Sequence, residues 1–153
     1  MTPLYLGLGT NVGDKESNLR LAVQQIEKRI GGIHSLSSFY QTDPWGFISE
    51  HTFLNAVVHI DTVFSPEEVL QITQDIERNM GRKIKSSAGV YTDRIIDIDI
   101  LFYGEEIISL PYLQIPHPLL HERMFVLEPL CEIAPNLIHP TLKKSVSEIK
   151  NTL

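Results

Sequence analysis

The sequence predicts an α+β fold, an antiparallel sheet with helices packed on one face, and three observations carry that expectation. Short runs rich in β-branched and aromatic residues alternate with two stretches of helical periodicity. Those two stretches have recognisable starts and stops. The segments then follow the order β-α-β-β-α-β. The first run, "PLYLGLG" (3 to 9), is apolar and ends in glycines, which reads as a central strand leading into a tight turn. Asp14 offers an N-cap, Leu19, Ala22, Val23, Ile26 and Ile30 recur at helical spacing, and Gly31 with Gly32 stops the helix. "IHSLSSFYQT" (33 to 42) and "FLNAVVHIDT" (53 to 62) read as two strands, separated by "DPWGFISEH" with its proline and glycine. Ser65, Pro66 and Glu68 supply an N-cap, a first-turn proline and a capping-box glutamate for a helix whose stripe is Val69, Thr73, Ile76 and Met80, ending at Gly81. A polar loop (83 to 93) precedes "RIIDIDILFYG" (94 to 104), a strand that turns at Gly104 into "EEIIS". The last third mixes prolines with a helix-compatible segment from about Met124 to Ile133 and a short amphipathic piece at Ser145 to Lys150.

This order is the split βαβ arrangement of ferredoxin-like folds, with a C-terminal helical extension. At 153 residues and 42% hydrophobic content, one domain spanning 1–153 is expected to bury its own core. The net charge of −6 argues against a general nucleic-acid or anionic-membrane binder, so an anionic ligand needs a local basic cluster. The single cysteine, Cys131, sits in an apolar run and reads as a buried structural thiol. No run approaches the ~18 apolar residues of a membrane span. The expectation is a soluble, cytoplasmic protein, with a monomer as the working assumption.

The chemistry concentrates in the "DID" of residues 97 to 99. Alternation along a strand puts Ile96, Ile98 and Ile100 on one side and Asp97 with Asp99 on the other, their Cβ atoms roughly 7 Å apart. Aspartate suits strands poorly, and two like charges on one face repel, so a cation between them is the natural resolution. Carboxylate ligation favours a hard ion such as Mg²⁺, which commonly completes its shell with water and the phosphates of a nucleotide such as ATP. Arg78, Arg82, Lys83, Lys85 and Arg94 gather positive charge just upstream, and Arg94 stands three residues before Asp97. "GLGTNVG" lacks the spacing of a dinucleotide fingerprint, and no Walker A sequence is present. In "IPHPLLHER", Pro118 after His117 and the lack of a nearby third ligand speak against zinc; His117 and Arg123 suit phosphate oxygens better. Trp45, Phe53 and Phe125 could sandwich a flat heteroaromatic ligand whose edge Asn55 would read with a donor and an acceptor.

Together, "LGLGTNVGD", "SSFYQTDPWG", "FLNAVV", "IERNMGR", "RIIDIDIL", "IPHPLLHER" and "LEPLCEIAP" resemble the 6-hydroxymethyl-7,8-dihydropterin pyrophosphokinase family over nearly the whole chain. The resemblance implies a ferredoxin-like enzyme of folate biosynthesis that transfers the β,γ-pyrophosphoryl group of ATP to the pterin's hydroxymethyl group and releases AMP. It implies that Asp97 and Asp99 hold two Mg²⁺ ions, that Gln74, Arg82, Lys85, Arg94, His117 and Arg123 surround the triphosphate, and that Ile100 touches adenine. Arg82 and Arg94 would act in catalysis with the aspartates. The pterin would lie between Phe125 and Tyr91, with Thr42, Pro44, Trp45, Gly46, Phe53 and Asn55 lining its pocket. Here Tyr91-Thr92-Asp93-Arg94 replaces the family's usual Trp-Gly-Pro-Arg, and Pro118 stands where a tyrosine often follows the histidine. In such a reaction, positioning and metal electrostatics supply most of the rate, and the 83 to 93 loop would exclude water as a lid. Two rivals are a non-catalytic ferredoxin-like module that binds a small ligand and a two-metal phosphohydrolase.

Overall fold

The structure, a computed structural model, describes residues 1–42, 52–81 and 95–153. Its main sheet is built from β1 (Thr2–Thr10), β2 (Ile33–Leu36), β3 (Tyr40–Thr42), β4 (Phe53–Thr62) and β5 (Asp97–Tyr103). The order is β2-β4-β1-β5, with β3 also paired to β4, and every pairing is antiparallel. With α1 (Lys15–Arg29) after β1 and α2 (Pro66–Gly81) after β4, this is the ferredoxin-like arrangement.

One sheet face carries Leu4, Leu6, Leu8, Ala56, Val58, Ile60, Ile98 and Ile100, which pack with Leu19, Ala22 and Ile26 of α1 and Val69, Ile76 and Met80 of α2. Each large aliphatic side chain buried there contributes roughly 1.5–3 kcal/mol. The opposite face carries Tyr5, Val57, Leu101 and Phe102 and is covered by α3 (Met124–Ile133) and α4 (Val146–Asn151), through Val126, Leu127, Leu130, Val146 and Ile149. The two core helices therefore share one face as expected, and the C-terminal helical extension covers the other. Leu4-Tyr5-Leu6 and Ala56-Val57-Val58 are apolar on both sides of their strands, as strands covered on both faces must be. Cys131 is half-buried against this second core.

The helix signals hold. The Asp14 carboxylate accepts from the Ser17 N–H at 3.1 Å. Ser65 and Glu68 exchange both capping-box hydrogen bonds, at 3.0 and 3.2 Å, and Ser145 and Glu148 do the same at the start of α4. Three expectations are refined. The 33 to 42 run is two strands, because Ser37 replaces a ladder carbonyl: its Oγ accepts from the Val57 N–H at 2.9 Å. Gly7 and Gly9 lie inside β1, not in a turn, and only Gly13 takes a positive φ there, +65°. After Gly104, β6 (Ile108–Leu110) pairs with β7 (Leu113–Ile115) as a separate hairpin. The three residues of β7, between Pro111 and Pro116, are too few to show a period. Among the described residues, no helix is long and apolar enough to cross a membrane.

Candidate active site

Asp97 and Asp99 leave β5 on the same face, while Ile98 and Ile100 between and beyond them enter the core. Across the ladder, Asp97 stands opposite Gly9 and Asp99 opposite Gly7. No side chain rises from β1 in front of either carboxylate. The next strand continues these rows with Asn55 beside Gly9 and Val57 beside Gly7. The result is a cavity of about 690 Å³ whose floor is strand backbone and whose walls include both aspartates, Thr42, Phe53, Asn55, Arg123 and Phe125.

Each wall is fixed locally. Asn55 is only 5% exposed, and its Nδ2 donates to Thr42 Oγ1 at 2.8 Å, which directs the carboxamide along the cavity. Phe125, in the first turn of α3, remains 39% exposed, and the Arg123 guanidinium stands 5.5 Å from its ring centroid. A face-on cation holds both side chains at the cavity mouth. Strand β5 is also anchored. Thr10 Oγ1, buried, donates to the Ile95 carbonyl two residues before Asp97. From α2, Glu77 Oε2 accepts from the Ile98 N–H at 2.9 Å, satisfying a donor on the free edge of β5.

A second cavity of about 290 Å³ follows that edge and is lined by Leu70, Ile98, Asp99, Ile100, Leu113 and His117 among others. Asp99 thus borders both cavities. The His117 backbone N–H donates to the Leu101 carbonyl at 3.1 Å, and its Nδ1 accepts from the Leu119 N–H at 3.2 Å. The ring proton therefore sits on Nε2. Burial pushes the His117 imidazole below the usual histidine range; the Asp99 carboxylate opposes this, and Arg123 reinforces it.

The aspartate donor set suits a hard cation of the Mg²⁺ type. Among the described residues no group of three or more His, Cys, Asp or Glu could hold a metal on its own. A cation here would complete its shell with water and ligand oxygens.

Of the residues expected from sequence, the structure gathers Asp97, Asp99, Thr42, Phe53, Asn55, Phe125 and Arg123 at the larger cavity, and Asp99, Ile100 and His117 at the smaller. Gln74 is exposed on α2 and lines neither. Pro44, Trp45, Gly46, Arg82, Lys85, Tyr91 and Arg94, and the 83 to 93 loop expected as a lid, lie outside the described residues. Sequence reasoning missed Gly7, Gly9, Leu70 and Glu77. The in-register glycines opposite an Asp-x-Asp were the available signal for the first two.

A model of the family described as "7,8-dihydro-6-hydroxymethylpterin-pyrophosphokinase (HPPK)" matches residues 5–135. The chain is 48% identical over 141 residues to the 2-amino-4-hydroxy-6-hydroxymethyldihydropteridine pyrophosphokinase of Porphyromonas gingivalis, covering 92% of this chain and 95% of that one. It is 41% identical to the protein of the same name from Aquifex aeolicus, covering 100% of this chain and 94% of that one. Among solved structures, the Plasmodium falciparum HPPK-DHPS crystal structure with pteroate superposes with a TM-score of 0.80 at 18% identity, over 99% of this chain and 42% of that one, a likeness of fold.

Proposed function

The chain belongs to the 7,8-dihydro-6-hydroxymethylpterin-pyrophosphokinase family, and from that membership we propose how its own residues carry out the family's reaction, with Asp97 and Asp99 at the meeting point of two substrates. The reaction is pyrophosphoryl transfer in folate biosynthesis, with ATP as co-substrate. A non-catalytic binding module is not favoured. One observation carries the assignment of roles: Asp99 borders both the larger cavity of Phe53, Asn55 and Phe125 and the smaller one of Leu70, Ile98, Ile100 and His117.

In this reading the larger cavity takes the pterin alcohol. Phe125 covers one ring face, and the Asn55 carboxamide, held by Thr42, offers the donor and acceptor that a pterin edge requires. The smaller cavity takes the adenine of ATP against Leu70, Ile98 and Ile100. The triphosphate then runs past Asp99 toward the hydroxyl. His117 Nε2–H and the Arg123 guanidinium donate to its oxygens. Arg82, Lys85, Arg94 and Gln74 are assigned to the same phosphates, and Pro44, Trp45, Gly46 and Tyr91 to the pterin, on the sequence motifs.

Asp97 and Asp99 would hold two Mg²⁺ ions, which when bound offset phosphate charge and favour departure of AMP. The rest is placement. The pterin hydroxyl attacks the β-phosphorus in line, its oxygen bonds that phosphorus as the bond from phosphorus to the AMP oxygen breaks, and the hydroxyl proton is released to solvent. No side-chain nucleophile is needed. The two cavities fix the reactants at adjoining positions, converting an encounter of two ligands into a step within one complex. The single cysteine, Cys131, fits a reducing cytosol, and a monomeric single domain is the matching expectation.

Incubation with ATP, Mg²⁺ and 6-hydroxymethyl-7,8-dihydropterin tests the reading. AMP should appear mole for mole with pterin diphosphate. ADP as the product, or nucleotide breakdown that ignores the pterin, would overturn it.

A further inference from the structure

The far end of α3 carries a cluster with no part in the chemistry above. The Glu132 carboxylate, at an exposed position, accepts four hydrogen bonds from Ser38, in the link between β2 and β3, and Tyr40, the first residue of β3. They come from the Tyr40 hydroxyl to Oε1 at 2.6 Å, the Ser38 N–H to Oε1 and Oε2 at 3.0 and 3.1 Å, and the Ser38 hydroxyl to Oε2 at 3.1 Å. These partners are more than ninety residues from Glu132 in sequence. An exposed carboxylate with four acceptor contacts to one short segment is an organised tie, where an ordinary surface glutamate would be bonded to water.

What the tie connects gives it meaning. Glu132 lies seven residues after Phe125 on α3, about two helical turns, so both project from nearly the same side of the helix. Tyr40 lies two residues before Thr42 on β3, so these two share a strand face. Thr42 Oγ1 in turn accepts from Asn55 Nδ2 at 2.8 Å. The helix and the paired strands β3 and β4 form two walls of the larger cavity, with Phe125 on α3, Thr42 on β3 and Asn55 on β4. We infer that Glu132 is a positioning residue for the pterin site: through Ser38 and Tyr40 it sets the separation of α3 from β3, and so the spacing between Phe125 and the Asn55 carboxamide.

This inference rests on the proposed pterin site and adds a determinant remote from the substrate. A flat ring needs a narrow slot, and a small change in slot width weakens stacking and the edge hydrogen bonds together. The smaller cavity has no wall on α3 or β3, and only Arg123, at the start of α3, links the triphosphate to the helix, so ATP affinity should respond to the tie far less than pterin affinity.

The test uses the full chain as Glu132→Ala, Glu132→Gln and Tyr40→Phe. The constants measured are KM for the pterin alcohol, KM for ATP, and the Kd of the pterin alcohol in the presence of α,β-methylene-ATP and Mg²⁺. Glu132→Ala should raise the pterin KM and Kd by about tenfold, the factor that 1.4 kcal/mol represents, with the ATP KM moving by no more than about twofold. Glu132→Gln keeps one acceptor oxygen and Tyr40→Phe removes one donor; both should fall between wild type and Glu132→Ala. Ultraviolet titration adds an independent signature. The Glu132 contact, helped by partial burial, pushes the Tyr40 phenol up to about 12, and Glu132→Ala should return one tyrosine toward the ordinary range. Wild-type pterin affinity in folded Glu132→Ala, or equal loss of affinity for both substrates, would overturn the inference. If Glu132→Ala does not fold, Tyr40→Phe decides by the same criteria. A wild-type enzyme that does not couple the pterin to AMP would instead defeat the proposed function.

Discussion

The Asn55 carboxamide oxygen occupies the space where a side chain on Gly9 would begin: a Cβ at position 9 would lie 2.9 Å from Asn55 Oδ1. The neighbouring strands β1 and β4 thus share one slot, and glycine on β1 leaves it to the amide on β4. Asn55 cannot yield easily, because it is buried and bonded to Thr42.

Gly9→Ala should therefore displace the carboxamide and weaken capture of the pterin alcohol. Losing one well-made hydrogen bond at a buried group corresponds to about 1–3 kcal/mol, or roughly five- to over a hundred-fold in Kd. ATP affinity should stay within twofold. Separate calorimetric titrations of each ligand check the split.

Asp97→Ala and Asp99→Ala should each lower kcat on the order of 10³-fold, if support for the developing charge on the departing AMP is lost. Asp97 is exposed and Asp99 half-exposed, so thermal unfolding should move little in either variant. Near wild-type turnover in either one would contradict the role assigned to the pair.

Thr10 connects folding to the site through its hydroxyl, which donates to the Ile95 carbonyl and accepts from Asn18 Nδ2 at 3.2 Å. Thr10→Val keeps the shape and leaves a buried carbonyl without that partner. A loss of about 1–3 kcal/mol in urea unfolding is expected. Because the bond ends two residues before Asp97, turnover should fall as well.

The aspartate pair was legible because its signal is local: polar residues at a period of two inside an apolar strand need no distant information. The caps at Asp14 and Ser65 were legible for the same reason, since donor and acceptor lie within four residues. Glu77 and Glu132 were not. Each looks like a solvated helix charge until the fold brings it to Ile98 or Ser38, 21 and 94 residues away. Gly7 and Gly9 were read only as the end of a strand before a turn, because glycine usually punctuates; only the register opposite Asp99 and Asp97 shows that they clear the floor of a cavity. The helix from Met124 to Ile133 was itself legible, but which face of the sheet it covers was not, because that depends on long-range packing against Tyr5, Val57 and Phe102.

A pH dependence of stability follows from His59. Its ring stacks on Tyr5 with centroids 4.4 Å apart and lies 4.3 Å from His34, and its buried Nε2 has no hydrogen-bond partner among the described residues. Burial, then the neighbouring His34, hold its pKa below the usual histidine value, with Asp61 opposing. The unfolded chain then takes up the proton more readily than the folded one, so the stabilising contribution is complete above about pH 6.5 and is lost as pH falls through the folded value. His117 and His139 are shifted in the same direction and add to the slope. His59→Phe keeps a ring in the stack and should flatten the fall in melting temperature between pH 7 and pH 5; an undiminished slope would contradict the assignment.

The claim that Asp97 and Asp99 together hold divalent metal at the junction of the two cavities is tested most directly by counting bound Mn²⁺ by electron paramagnetic resonance, with saturating α,β-methylene-ATP and the pterin alcohol. Wild type should bind two ions per chain, and Asp97→Asn and Asp99→Asn should each lose at least one or weaken both by about tenfold or more. The same stoichiometry and affinity in wild type and both variants would show that the metal is held elsewhere and would contradict the account.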